Sequence, residues 1–170
     1  MEEPRRLNLG CGIDIKPGHL NADRIRLPGV DLVFDANRRP FPFRDSMFDE
    51  IYLSHVLEHL SDTVGTMEEI HRIARPGALV TVLVPHYKHA NAFMDPTHVR
   101  FFAEQSFDYF GKNDKSYYTK ARFEVIRVEK QYEYHIDKYV GRLFPQLLPW
   151  VERYLDGTVV QLTFHLRARK

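Results

Sequence analysis

Three sets of residues in this sequence have types and spacings that could do chemistry. The first is Gly10-Cys11-Gly12, placed directly after the short apolar run Arg6-Leu7-Asn8-Leu9. A glycine turn that follows a first strand lets a ligand lie close against bare backbone. It is not a dinucleotide fingerprint. The third position of that pattern falls on Ile15, and Lys16-Pro17-Gly18 leaves no room for the helix whose N-terminus would hold a pyrophosphate. A G-K-[ST] phosphate loop is also lacking. The second set is a pair of acids at strand ends. Asp23 closes a second strand, where a carboxylate can accept hydrogen bonds from both hydroxyls of a ribose, and Asp35 follows a third, where it can accept from an adenine amino group. Together they describe a nucleoside ligand without a pyrophosphate, against the plainer reading of turn glycines and solvated acids.

The third set is histidine-rich. His55, Glu58 and His59 begin a helix or turn after a fourth strand, with His55 and His59 one helical turn apart. His55 reads as a pocket residue; Glu58 and His59 read as groups that lock the loop. Further on, His86, His89, Asp95, His98 and Arg100 sit in the connection after a fifth strand, where open α/β sheets place substrate-contacting loops. His98 and His86 are candidates for a base on the acceptor side, because imidazole titrates near neutrality. The other reading is a loop in which Asp95, His98 and Arg100 satisfy one another. His86-x-x-His89 and Asp95-x-x-His98 complete no recognisable set of metal-ligand spacings, so no metal is expected. Cys11, the single cysteine, has no histidine within reach in sequence and reads as packing.

The elements that must carry these residues alternate. Strands are expected over Arg6–Leu9, Leu20–Asp23, Val30–Phe34, Phe48–Ser54 and Leu79–Val84, the last so apolar that burial on both faces is expected. A helix is expected over Thr63–Ala74, capped by Ser61 or Asp62 and ended by Arg75-Pro76-Gly77. Two late strands, Phe123–Tyr132 and Thr158–Arg167, follow, separated by the apolar segment Leu143–Leu155 with its prolines, which reads as a connection covering the core. This order is that of an α/β layered domain, and 170 residues suit a single domain spanning 1–170.

Bulk properties exclude several classes. A net charge of +1 gives no general field for nucleic acid or membrane. Arg5, Arg6, Arg24, Arg26, Arg38 and Arg39 either gather at a pocket mouth or lie scattered and solvated. No apolar run is long enough to span a bilayer, no signal-peptide pattern opens the chain, and one cysteine suits a reducing compartment; the expectation is cytoplasmic.

Beyond these local readings, the sequence resembles the class I S-adenosylmethionine-dependent methyltransferases, in the compact bacterial and archaeal type 11-like group. The resemblance is carried by Leu7-Asn8-Leu9-Gly10-Cys11-Gly12, Asn21-Ala22-Asp23, Val30-Asp31-Leu32-Val33-Phe34-Asp35 and Pro40-Phe41-Pro42-Phe43. It continues through Phe48-Asp49-Glu50-Ile51, His55-Val56-Leu57-Glu58-His59-Leu60, Glu69 to Gly77 and Asp95 to Phe102. It implies a Rossmann-like sheet of seven strands ordered 3-2-1-4-5-7-6 with strand seven antiparallel, and a first helix nearly deleted. It implies S-adenosylmethionine as cofactor. Gly10, Cys11 and Gly12 would pass beneath its methionine part, Asp23 would take the ribose and Asp35 the adenine side, and Ser54 with His55 would close over the sulfonium. Asn8, where many relatives carry an acid, is counted with the cofactor residues. The acceptor is expected to be a small or carbohydrate-like molecule, methylated at oxygen or nitrogen. A silent cofactor-binding subunit supporting a partner enzyme and an RNA methyltransferase are the alternatives, and a homodimer or partner subunit is left open.

Overall fold

The computed structural model describes residues 5–111 and 117–170. Seven strands form one sheet in the order β3-β2-β1-β4-β5-β7-β6. They are β1 Arg6–Leu9, β2 Leu20–Asp23, β3 Leu32–Val33, β4 Phe48–Ser54, β5 Ala74–Pro85, β6 Phe123–Tyr132 and β7 Val159–Ala168. The first five run parallel, and β7 runs antiparallel to both β5 and β6. This is the Rossmann-like arrangement expected, with no helix between β1 and β2.

Helical cover is sparse. The helix α1, Thr63–Ile73, starts at Asp62, whose side chain accepts from the Gly65 amide at 2.9 Å. Met67, Ile70 and Ile73 turn into the core with no exposure, against the face of the sheet that carries Ile51, Leu53, Val80, Val82, Leu162 and Phe164. Arg72 fastens α1 to the segment before β4: its guanidinium donates to the Phe41 and Phe43 carbonyls and pairs with Asp45 and Glu69. The shorter helices are α2, Asn91–Met94, and α3, Leu148–Tyr154.

Two expectations change here. β5 is not buried on both faces. Leu79 is 47% exposed and Thr81 and Leu83 are half-buried, because they lie on the face that carries Glu50, Tyr52 and Ser54 of β4 and Thr163, His165 and Arg167 of β7, over which no long helix packs. Nor does the segment Leu143–Leu155 cover the core. Its Val151 is buried, but Leu143, Phe144, Leu147 and Trp150 are exposed, since Pro145 and Pro149 break it into short turns with no single apolar face to lay down.

Candidate functional site

A cavity of about 380 Å³ opens where the C-terminal ends of β1 to β4 meet, the place where open α/β sheets bind ligands. Each strand end delivers part of its wall: Gly10 after β1, Asp23 to Ile25 from β2, Phe34 to Asn37 after β3, and His55, Val56, His59 and Leu60 after β4. Thr97 closes one side.

Gly10 is required twice over. It has φ +68°, and a Cβ there would sit 2.3 Å from a methyl of Val56. Its amide and that of Cys11 both donate to the Ala22 carbonyl, holding the turn against β2. Asp23 ties the same turn from below: Oδ2 accepts from the Gly12 amide at 2.8 Å and Oδ1 from the Ile25 amide at 3.0 Å. Each of these oxygens keeps a further lone pair. Gly12 has φ +48° and open space where a Cβ would stand. Asp35 is set by an Asx turn in which Oδ1 accepts from the Asn37 amide at 2.9 Å.

The opposite wall is the tight turn Leu57–His59. His55 precedes it with φ +54°, unusual for a residue with a side chain. Its Nδ1 lies 3.0 Å from Oε1 of Glu58, and that hydrogen bond holds the imidazole above its ordinary pKa despite partial burial. Glu58 itself is 1% exposed, and its Oε2 has no hydrogen-bond partner among the described residues. Its main-chain carbonyl accepts from Val99 and Arg100 and so anchors the loop after β5. In that loop the Asp95 carboxylate accepts from the Thr97 amide and hydroxyl, which hold it below the usual range. The Thr97 hydroxyl oxygen lies 2.8 Å from Nδ1 of His59. The His59 and His98 rings meet edge to face, with centroids 4.7 Å apart.

Of the residues singled out by sequence, Gly10, Asp23, Asp35 and His55 line one cavity. Asn8, Cys11, Gly12 and Ser54 stand behind it. The Asn8 amide is spent on the Asp14 carbonyl and on Asn21, and Cys11 is buried, with its thiol pushed up by that burial and by Asp23. His98 lies one ring behind the lining. His86 is elsewhere: it is 5% exposed at the end of β5, 3.8 Å from Glu104, and burial lowers its pKa. Asp95, His98 and Arg100 do not satisfy one another. His98 bonds the Ala92 carbonyl and Arg100 the Ser61 carbonyl, because the loop turns their side chains toward different elements. The arginines do not gather either. Arg5, Arg6, Arg38 and Arg39 pair with Asp49, Glu50, Asp35 and Asp62, Arg26 reaches the Val30 carbonyl, and Arg24 alone of the set lines the cavity. Phe34, Val56, Leu60 and Thr97 were not foreseen. Apolar lining is of the same residue types as core, whereas Thr97 could have been sought in the Asp95-Pro96-Thr97-His98 run.

A family profile described as a methyltransferase domain matches residues 5–82, the stretch that builds β1 to β5 and most of the cavity. Over that stretch, just under half of the chain, the sequence is similar to a methyltransferase domain. Solved structures of the same fold agree with the topology. A SAM-dependent methyltransferase from Archaeoglobus fulgidus superposes with a TM-score of 0.64 at 14% identity, covering 98% of this chain and 86% of that one. A chain from a Haloferax volcanii complex between a methyltransferase activator and a proposed methyltransferase gives 0.60 at 18%, covering 100% and 85%. Phosphoethanolamine N-methyltransferase 2 of Haemonchus contortus, in complex with S-adenosylmethionine, gives 0.57 at 16%, covering 100% and 50%. At these identities the likeness bears on fold, and the family match bears on residues 5–82. No curated protein matches the sequence significantly. The last of these neighbours holds S-adenosylmethionine.

Proposed function

We propose that this cavity holds the nucleoside of S-adenosylmethionine and that the methyltransferase acts on a small or carbohydrate-like acceptor at oxygen or nitrogen. One observation carries the reading: two carboxylates, Asp23 and Asp35, stand at adjacent strand ends beside the bare backbone of Gly10 in a single cavity. The volume lies in the range of sites for molecules of this size. Asp23 would accept from the ribose hydroxyls with the lone pairs its two backbone bonds leave over. Asp35 would take the adenine side, and Phe34, Ala36 and Leu60 supply apolar wall. Asn8, Cys11 and Gly12 act from behind, keeping the turn in shape, with Ser54 at the end of β4. When bound, the cofactor supplies an electrophilic methyl group, and the chain's contribution is orientation and proximity.

His55 is the side chain we assign to the acceptor. Glu58 holds its Nδ1 and Gln161 also hydrogen-bonds the ring, so an incoming hydroxyl or amine would meet the imidazole in place of Gln161. His98 is screened by His59, and His86 lies outside the cavity, so neither competes with His55 for that place. The charged lining, Asp23 and Asp35 against Arg24, suits a small neutral acceptor better than RNA, which would want a continuous basic rim. We place the enzyme in the cytoplasm as one domain over 1–170; among the described residues no helix is long and apolar enough to cross a membrane.

The test is calorimetric titration with S-adenosylmethionine and S-adenosylhomocysteine. We expect binding of both, and a loss of at least about tenfold in affinity for Asp23→Ala, the scale of a hydrogen bond to a charged group. Undiminished affinity in that variant removes the ribose assignment. No binding by the unaltered chain would favour the alternative, a silent subunit that serves a partner enzyme.

A further inference from the structure

We infer that Glu58, His59 and His98 form a binding site for a divalent cation at the wall of the cavity. One carboxylate oxygen of Glu58 and one ring nitrogen from each histidine lie within 4.8 Å of one another. Proximity alone would be weak evidence. What gives the cluster its direction is where the hydrogens must be.

The Ala92 carbonyl, 3.0 Å from Nδ1 of His98, can only accept, so that nitrogen donates there and Nε2 of His98 is the atom left for a ligand. The second ring is fixed by a longer chain of bonds. Asp95 accepts the Thr97 hydroxyl proton at 2.7 Å, so the Thr97 oxygen is left to accept from Nδ1–H of His59 at 2.8 Å. Nε2 of His59 is therefore the atom left for a ligand as well. The third group is Glu58, buried to 1% exposure, with Oε1 taken by His55 and Oε2 reached by no donor among the described residues. Lysine and arginine pair with Glu58 nowhere among those residues. A buried carboxylate oxygen without a donor is costly to leave unmet, and with two imidazole nitrogens beside it forms the set a cation requires.

The outer bonds match those of known metal sites, where each ligating imidazole donates its other N–H to a carbonyl or to a group that leads to a carboxylate. Two imidazoles and one carboxylate suit borderline divalent ions, manganese, iron, cobalt or zinc, over calcium, which asks for oxygen donors. Three protein ligands leave coordination positions open. His59 and Thr97 line the cavity, so those positions are accessible from it to water or to an oxygen of the acceptor. This departs from the expectation from sequence that no metal is bound, which rested on the spacings His86-x-x-His89 and Asp95-x-x-His98: the proposed ligands instead combine Glu58-His59 with a histidine from a different loop.

The experiment is titration of the metal-stripped chain with Co²⁺ and Mn²⁺, followed by calorimetry and, for Co²⁺, by its visible absorption. We expect one equivalent to bind, with Co²⁺ bands typical of nitrogen and oxygen ligands. Affinity should fall at least tenfold in His98→Ala and in Glu58→Gln and stay unchanged in His19→Gln, whose ring is exposed beside Pro17. Thermal melts of each variant establish that it is folded. No stoichiometric binding, or binding that survives both substitutions in the cluster, overturns the site. Cofactor titration is run separately without metal, so the cation site and the nucleoside site stand or fall independently.

Discussion

Two polar clusters each draw a residue from the connection that follows β5, Glu104 in one and His98 in the other, and they solve the same problem differently. In one, Lys130 stands between Glu104 and Glu152, with Nζ–O distances of 3.0 and 2.5 Å, and the Tyr132 hydroxyl donates to Glu152. In the other, Glu58, His59 and His98 bring acceptor lone pairs together without a lysine. The first carries its own cation on a strand and is complete as folded. The second has one carboxylate beside two imidazoles, with His55 on one carboxylate oxygen and no donor on the other. A lysine between two acids completes its cluster within the fold, while the open oxygen of Glu58 is what the proposed cation would meet.

The largest expected effect that tests this contrast is in the self-sufficient cluster. Lys130→Met leaves two half-buried carboxylates facing each other without their cation and should cost about 2 kcal/mol in chemical denaturation, a buried-pair loss discounted for partial exposure. A cost below about 0.5 kcal/mol would mean the network is only a surface ion pair.

Acidification gives a second test with a definite sign. Burial pushes the Glu104 carboxyl up, but its own backbone amide and Lys130 more than offset this, so the group sits below the usual range. Its contribution is present above the unfolded value of about 4.3 and is lost as pH falls through the folded pKa. At the alkaline end Lys130, held up by Glu152 and Glu104 against its burial, stabilises below about pH 10.4 and ceases to do so as pH rises through its own folded pKa. His86 and Lys88 are the other charged or titratable groups nearby. In Lys130→Met the acid limb should reverse. Facing carboxylates bind protons more tightly folded than unfolded, so stability should climb between pH 6 and 4 relative to the parent. Denaturation midpoints across that interval decide it, and parallel curves would argue against Lys130 as the balancing charge.

The smallest effect belongs to the ligand-seeking cluster. Glu58→Gln removes a buried charge answered on one oxygen only, so the metal-free chain should keep its stability or gain up to about 1 kcal/mol. A loss of more than about 2 kcal/mol would show that Glu58 is there for the fold.

How far the sequence discloses these features varies in a physically sensible way. β1, β2, β4 and β6 occupy their expected residues, because each is a short apolar or alternating run between strong turn signals. β3 shrinks to Leu32–Val33 at the sheet edge, where only β2 pairs with it. β5 begins earlier than expected, since Ala74 already pairs with Phe48 across a bulge while Pro76 and Gly77 remain exposed within the strand. Apolarity predicted burial of Leu79, but whether a helix lies over a face is a property of the connections, and here none of them lays a long helix there. At the site, Gly10, Asp23 and Asp35 were legible because backbone freedom and strand-end carboxylates leave marks in sequence. The pairing of His59 with His98 was not, because it depends on how the loop after β5 folds back over the turn at Leu57, and the tautomers depend on Thr97 and a main-chain carbonyl.

The contact between Gly10 and Val56 has a thermodynamic corollary. Val56 lies between His55 and Leu57, on the chain that leads to Glu58 and His59, and its methyl occupies the space a side chain at Gly10 would need. The proposed floor under the nucleoside and the proposed wall around the cation are thus joined at Val56. By linkage, any factor by which a bound cation alters affinity for the nucleoside must equal the factor by which the nucleoside alters affinity for the cation.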